Sequence, residues 1–155
     1  VKERMSEDKN LIRLLKRVQE RAENVQRYSD GLRENMIAIE ELLDSFKAAG
    51  IKVTSDVILL VEPDNEFGYE DVWRFYYNKS GLYLRRESTR FDKAYVSDYY
   101  YMSEAPRRVL VAAVRALPAF VKQLADALAE KEGELKDAAS LAERLRAAIA
   151  SAIEE

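Results

Sequence analysis

From Leu11 to Phe46 one helical seam recurs at alternating steps of four and three. It passes through Leu11, Leu15, Val18, Ala22, Val25, Ser29, Leu32, Met36, Ile39, Leu43 and Phe46. No step slips, and only Ser29 is polar. Sustained spacing of this kind marks a coiled-coil helix rather than a generic amphipathic one. It commits residues 6–49 to a rod of roughly 65 Å at about 1.5 Å per residue. Ser6 reads as the N-cap, with Glu7 and Asp8 favourably placed in the first turn. Gly50 reads as the left-handed residue that ends the helix, with Ile51 making the apolar contact after it. A rod this long overhangs any small sheet the rest of the chain can build, so a partner helix is expected.

After Gly50 the apolar period falls to two. Val57-Ile58-Leu59-Leu60-Val61 is a continuous apolar run, as expected of a strand buried on both faces. Two further strands meet at Asn78-Lys79-Ser80-Gly81, read as a type I turn with Gly81 in the bulge position. That register opposes Tyr77 to Tyr83, Phe75 to Arg85 and Arg74 to Arg86. It puts Trp73, Phe75, Tyr77, Tyr83 and Arg85 on one face, with Val72, Arg74, Tyr76, Leu82, Leu84 and Arg86 on the other. A fourth short strand is expected around 93–96. Of the consecutive Tyr99, Tyr100 and Tyr101, at least one must be exposed or at an interface, because neighbours cannot share one face.

Ser103-Glu104-Ala105-Pro106 opens the last helical part, 103–154, where Leu110, Val114, Leu117, Val121, Leu124 and Leu128 again alternate four and three. Pro118 predicts a kink or a short break, and Gly133 leaves two courses open: a break near 131–134, or one continuous helix with Leu135, Ala142, Leu145, Ile149 and Ala152 in phase with the seam. The predicted fold is therefore α+β in one domain, 1–155. A long coiled-coil helix, an antiparallel sheet of three to four strands over 53–96 and a long kinked C-terminal helix follow one another. The seam predicts a homo-oligomer, a dimer or a tetramer, with antiparallel pairing of the two long helices within one chain as one way to cover part of it.

Composition removes whole classes of chemistry. The chain has no cysteine and no histidine, which excludes disulfides, thiol nucleophiles, Cys/His zinc sites and Ser-His-Asp triads. There is no glycine-rich phosphate loop, and nothing converges on the neighbouring Glu70 and Asp71 to make a catalytic pair. No enzyme activity and no cofactor are predicted. The acidic stretch Glu62-Pro63-Asp64-Asn65-Glu66 lacks the spacing of a calcium loop. No apolar run is long enough for a membrane span, so no membrane partner is expected and the cytoplasm is the expected compartment.

The remaining chemistry lies in the hairpin. The overall charge is −3, yet residues 72–96 carry six bases against two acids. Flat rings interleaved with fixed positive charge are what a protein needs to hold unpaired bases and their phosphates. The candidate nucleic-acid residues are Trp73, Arg74, Phe75, Tyr77, Tyr83, Arg85, Arg86, Arg90 and Lys93, with single-stranded DNA or RNA as the partner. The competing account makes Trp73, Phe75, Tyr77 and Tyr83 the core face under the helices. A like-charge pair across the strands calls for an anion or an acid between the two arginines.

Long heptad helix, small aromatic and arginine-rich sheet, long C-terminal helix: this layout resembles the ThermoDBP-related single-stranded DNA-binding proteins of hyperthermophilic archaea. Its most telling segments are Trp73-Arg74-Phe75-Tyr76-Tyr77 and Tyr83-Leu84-Arg85-Arg86. The resemblance implies sequence-tolerant binding of single strands in a cleft floored by aromatics and edged by basic residues, and assembly through helices. The same helix–hairpin–helix plan is also similar to prefoldin chaperone subunits, whose helix tips grip unfolded clients. A coiled-coil scaffold is the third reading.

Overall fold

The heptad rod divides into two halves with different surroundings. In the computed structural model, which describes residues 1–61, 70–89 and 95–154, α1 spans Lys2–Asp44. It starts before Ser6, because Lys2 to Met5 are good helix formers and the Met5 N–H already bonds the Val1 carbonyl at 3.2 Å. From Ser29 to Leu43 the seam faces the core: Met36 is buried, and Leu32, Ile39 and Leu43 pack beside it, whereas Phe46, the last seam residue, is exposed. From Leu11 to Val25 the same seam lies in solvent. Ser29, its one polar member, sits at the boundary and accepts a hydrogen bond from Arg107 Nε at 3.2 Å. α1 stops at Asp44, short of the expected 49, and a separate 3-10 turn, Lys47–Ala49, follows; it is this turn that Gly50 ends, in the left-handed region at φ +71° with Ile51 buried behind it.

Five antiparallel strands form the sheet: β1 (Val53–Thr54), β2 (Leu59–Val61), β3 (Glu70–Asn78), β4 (Gly81–Thr89) and β5 (Tyr95–Tyr100). Their order is β1-β3-β4-β5, with β2 also pairing with β3. β1 meets Tyr76 and Tyr77 while β2 meets residues 71–73, so the two make one interrupted edge strand. Ser55 bridges the interruption. Its N–H donates to the Phe75 carbonyl at 3.0 Å, and its hydroxyl accepts the Phe75 N–H at 2.8 Å. That hydroxyl does the work of a missing ladder carbonyl. The run from Val57 to Val61 is accordingly not buried on both faces: it lies at the edge, with Val57 and Leu60 exposed.

The hairpin register differs from the expected one by a single residue. Asn78 pairs with Gly81, Tyr77 with Leu82, Phe75 with Leu84, Arg74 with Arg85 and Trp73 with Arg86. The turn has two residues, Lys79 and Ser80, and the Ser80 N–H bonds Asn78 Oδ1 at 2.8 Å. A slip of one residue moves every β4 side chain to the opposite face. Leu82 and Leu84 thereby join Trp73, Phe75 and Tyr77 in the core, and Tyr83 and Arg85 turn outward. The end of α1 reinforces this register. Asp44 accepts the Leu82 N–H at 3.3 Å, and it packs so closely on Gly81 that a Cβ there would lie 2.1 Å from its carboxylate.

A second 3-10 turn, Met102–Glu104, leads into α2, Arg107–Glu154. α2 is one helix through both Pro118 and Gly133. Leu117 and Phe120, both buried, hold it against the sheet on either side of the proline. Of the two courses open at 131–134 the helix takes the continuous one, since Gly133 costs only about 1 kcal/mol among strong helix formers. α2 buries Val109, Leu110, Ala113, Leu117, Phe120 and Leu124, whereas Val121, an expected seam residue, is exposed. Phe120 stacks on Phe75 with ring centroids 4.8 Å apart.

The two long helices do not form the antiparallel pair considered from the sequence. Arg107 meets α1 at Ser29, and Leu128 shares a groove with Ala49, just beyond the end of α1. Their core segments therefore run in the same sense, and the two overhangs leave from opposite ends.

One buried carboxylate makes this core pH-dependent. Glu40 of α1 accepts the Met102 N–H beneath the second 3-10 turn. Burial pushes its carboxyl above the ordinary carboxylate range; the Met102 N–H works against this, and the nearby Asp44 and Glu104 add to the rise. A carboxyl raised in the folded state binds its proton more tightly there, so its contribution favours the fold in acid and is lost as pH rises. Glu40→Gln keeps an acceptor for Met102 and removes the charge. Its thermal midpoint should exceed that of the wild type at pH 7, and the difference should close towards pH 4.

Candidate nucleic-acid interface

Helices cover only one face of the sheet, and the other carries a cluster of tyrosines. Alternation along β3 and β4 sends Arg74, Tyr76, Tyr83 and Arg85 outward. β5 pairs Tyr99 with Arg85 and Tyr100 with Leu84, so Tyr99 joins the outer face and Tyr100 the inner one. Tyr101, just past the strand, returns to the outer side beside Tyr83. Tyr99 and Tyr101 are 52% and 49% exposed. The expectation that the tyrosine run must leave at least one ring exposed or at an interface is met by two exposed rings.

Ring spacing makes these four tyrosines one surface. Tyr76 and Tyr99 have centroids 5.5 Å apart, Tyr83 and Tyr101 5.3 Å, and Tyr83 and Tyr99 6.4 Å in an edge-to-face arrangement. Tyr76, Asn78, Ser80, Tyr83 and Tyr99 line a shallow depression of about 400 Å³. Cations lie over the same rings. The Arg85 guanidinium is 6.0 Å from the Tyr76 centroid and 5.9 Å from that of Tyr99, and Lys52 Nζ is 5.6 Å from Tyr76. Such placements are attractive because the ring face carries partial negative charge. A hydrogen bond from Lys52 also holds the Tyr76 phenol below the usual tyrosine range, with Asn78 and Arg85 contributing. Tyr83 moves the other way, pushed up by burial and by the neighbouring Tyr101 hydroxyl.

The arginines are held in place. Arg85 Nε lies 3.1 Å from Ser97 Oγ and 3.3 Å from Glu87 Oε1. Arg74 reaches the Ser55 carbonyl at 3.3 Å. The like-charge pair across the strands is thus Arg74 with Arg85, and side-chain and backbone oxygens spread the two guanidinium groups apart.

The predicted site residues fall into three groups. Arg74, Tyr83 and Arg85 are on the outer face, though Tyr83 and Arg85 arrive there by a register the sequence reading did not use. Trp73, Phe75 and Tyr77 are in the core, at 3%, 0% and 2% exposure, and offer no face to a ligand. Each is committed: Trp73 lies against Tyr100 at 5.3 Å, Phe75 against Phe120, and the Tyr77 hydroxyl donates to the Leu43 carbonyl at 2.7 Å. Arg86 is also on the inner side, ion-paired with Asp98 at 2.6 Å and stacked over Tyr100 at 5.3 Å. Burial opposes its charge, but the Asp98 hydrogen bond with the Tyr100 and Asp71 fields more than restores it. Arg90 and Lys93 lie outside the described residues, as do Glu62, Asp64 and Glu66.

Lys52, Tyr76, Tyr99 and Tyr101 are the members of this surface that the hairpin pattern did not point to. The signal for two of them was the tyrosine run itself, since period-two alternation puts Tyr99 and Tyr101 together. Among the described residues no cluster of acidic side chains is arranged to hold a metal ion, and no helix is long and apolar enough to cross a membrane. No family model, no curated protein and no solved structure matches this chain, so its function has to be read from the chemistry of the tyrosine face.

Proposed function

We propose that the outer face of the sheet binds single-stranded nucleic acid, DNA in the first instance, with little sequence preference. The observation that carries this reading is the four-tyrosine surface, with Lys52 and Arg85 over its rings and Arg74 on the same face. Aromatic faces accept any base, and cations beside them track the phosphates. A core built on Trp73, Phe75 and Tyr77 has no need of four more tyrosines on its solvent side. The overall charge of −3 does not oppose the reading, because fields beyond roughly 10 Å are screened at ordinary salt.

Anisotropy of a fluorescein-labelled oligothymidine, titrated at several salt concentrations, tests it. Labelled DNA is the reporter to use, since Trp73 is too buried to sense a ligand directly. The wild type should bind, with log affinity falling linearly against log salt. Arg74→Gln should flatten that slope by about 0.7, the value of one phosphate contact on a single strand. Arg86→Gln should leave it unchanged, because Arg86 is paired on the inner side. Absence of binding at low salt would sink the proposal.

A further inference from the structure

The two helical overhangs complement each other. Residues 2–28 of α1 and 129–154 of α2 are exposed without exception, and each is roughly 40 Å long at about 1.5 Å per residue. The α1 arm carries eight bases and five acids, net +3, and the α2 arm four bases and six acids, net −2. The opposite charges are concentrated near the core. The inner half of the α1 arm, 15–28, sets Lys16, Arg17, Arg21 and Arg27 against Glu20 and Glu23, net +2, and the inner half of the α2 arm, 129–141, sets Glu130, Glu132, Glu134 and Asp137 against Lys131 and Lys136, net −2.

Side-chain size is complementary as well. The α1 seam is bulky, with Leu11, Leu15 and Val18 flanked by Ile12 and Leu14. The α2 seam sets Leu135, Leu145 and Ile149 among Ala138, Ala142 and Ala152. Large residues opposite small ones let two helices interdigitate. A groove of about 610 Å³ at the root of the α2 arm, lined by Ala49, Leu128, Lys131, Glu132, Leu135 and Lys136, offers apolar surface on which the root of an α1 arm can seat.

We infer that two copies of this chain associate side by side and head to tail, the α1 arm of each lying antiparallel along the α2 arm of its partner. Because the arms leave opposite ends of the core, a two-fold axis between the copies pairs both ends at once and closes the assembly. Pairing α1 with α1 would instead set +3 against +3. Contact strips about 10 Å wide along four arms come to roughly 1,500 Å², the size of a standard stable interface. This inference rests on the arms and is independent of the single-strand reading.

Charge exchange tests it in the full chain by sedimentation at micromolar concentration. The wild type should be a dimer. Lys16→Glu, Arg17→Glu and Arg21→Glu together should weaken association roughly tenfold or more, and so should Glu130→Lys, Glu132→Lys and Glu134→Lys together. One chain carrying all six changes should dimerise again, because an acidic α1 arm then meets a basic α2 arm. A monomeric wild type would overturn the inference, and so would failure of the six-fold chain to recover; an unweakened first triple would overturn it too, because α1–α1 pairing merely exchanges +3 against +3 for −3 against −3. A second measurement uses the absence of native cysteine. A short bis-maleimide should link Leu15→Cys chains to Leu145→Cys chains when the two are mixed, and neither to itself; self-linked Leu15→Cys chains would overturn the arrangement.

Discussion

Phe75→Ala should cost about 3–5 kcal/mol of folding stability, the usual loss for removing a fully buried phenyl ring. The side chain is 0% exposed, stacks on Phe120 and faces Leu84 across the strands. It is therefore the residue that joins the sheet to α2. At this chain length the thermal midpoint should fall by roughly 6–20 °C. The matching change on the other face, Tyr99→Ala, removes a ring that is half in solvent and should cost less than about 1 kcal/mol. The contrast tests which face is core. A well-folded Phe75→Ala protein beside an unfolded Tyr99→Ala protein would mean that the sheet packs the other way round.

That contrast turns on the part of the structure hardest to read in advance. The α+β order, the long first helix, the left-handed Gly50 and the hairpin at 78–81 were all legible, because each rests on local spacing or turn chemistry; that the helix itself stops at Asp44 was not. The seam could be read, but not where it stops being core, since the spacing is the same on both sides of Ser29. The register of β4 was the costly gap. Asn78-Lys79-Ser80-Gly81 suits either a two-residue turn or a three-residue turn with Gly81 in the bulge, and the two differ by one residue. What decides between them is tertiary: Leu82 and Leu84 need cover, and Asp44 arrives from α1 to take the Leu82 N–H. Side-chain polarity points the same way, since that register sets Leu82 and Leu84 beside Trp73, Phe75 and Tyr77. The candidate site suffered in proportion: of its seven described residues, Trp73, Phe75, Tyr77 and Arg86 face the core. Lys52 had no local signal at all, because only the β1–β3 pairing brings it to Tyr76.

Tyr99→Ala and Tyr101→Ala should each weaken oligothymidine binding roughly five- to a hundredfold, the effect of losing one stacked base at about 1–3 kcal/mol. These two rings are the most exposed of the outer four, so they are the ones whose faces a base can reach without repacking the sheet. They also lie in different ring pairs, Tyr99 with Tyr76 and Tyr101 with Tyr83. Engaging different bases, they should act nearly additively, and the double replacement should reduce affinity by about thirtyfold or more. Tyr99→Phe keeps the flat face and should bind close to the wild type, which separates stacking from hydrogen bonding by the hydroxyl. Duplex DNA should bind far more weakly than the single strand, because its bases already stack on one another. The salt slope is the internal control: losing a ring should lower affinity at every salt concentration and leave the slope intact, the reverse of Arg74→Gln. A folded Tyr99→Ala, Tyr101→Ala protein that holds oligothymidine as tightly as the wild type would show that the strand is not bound on this face.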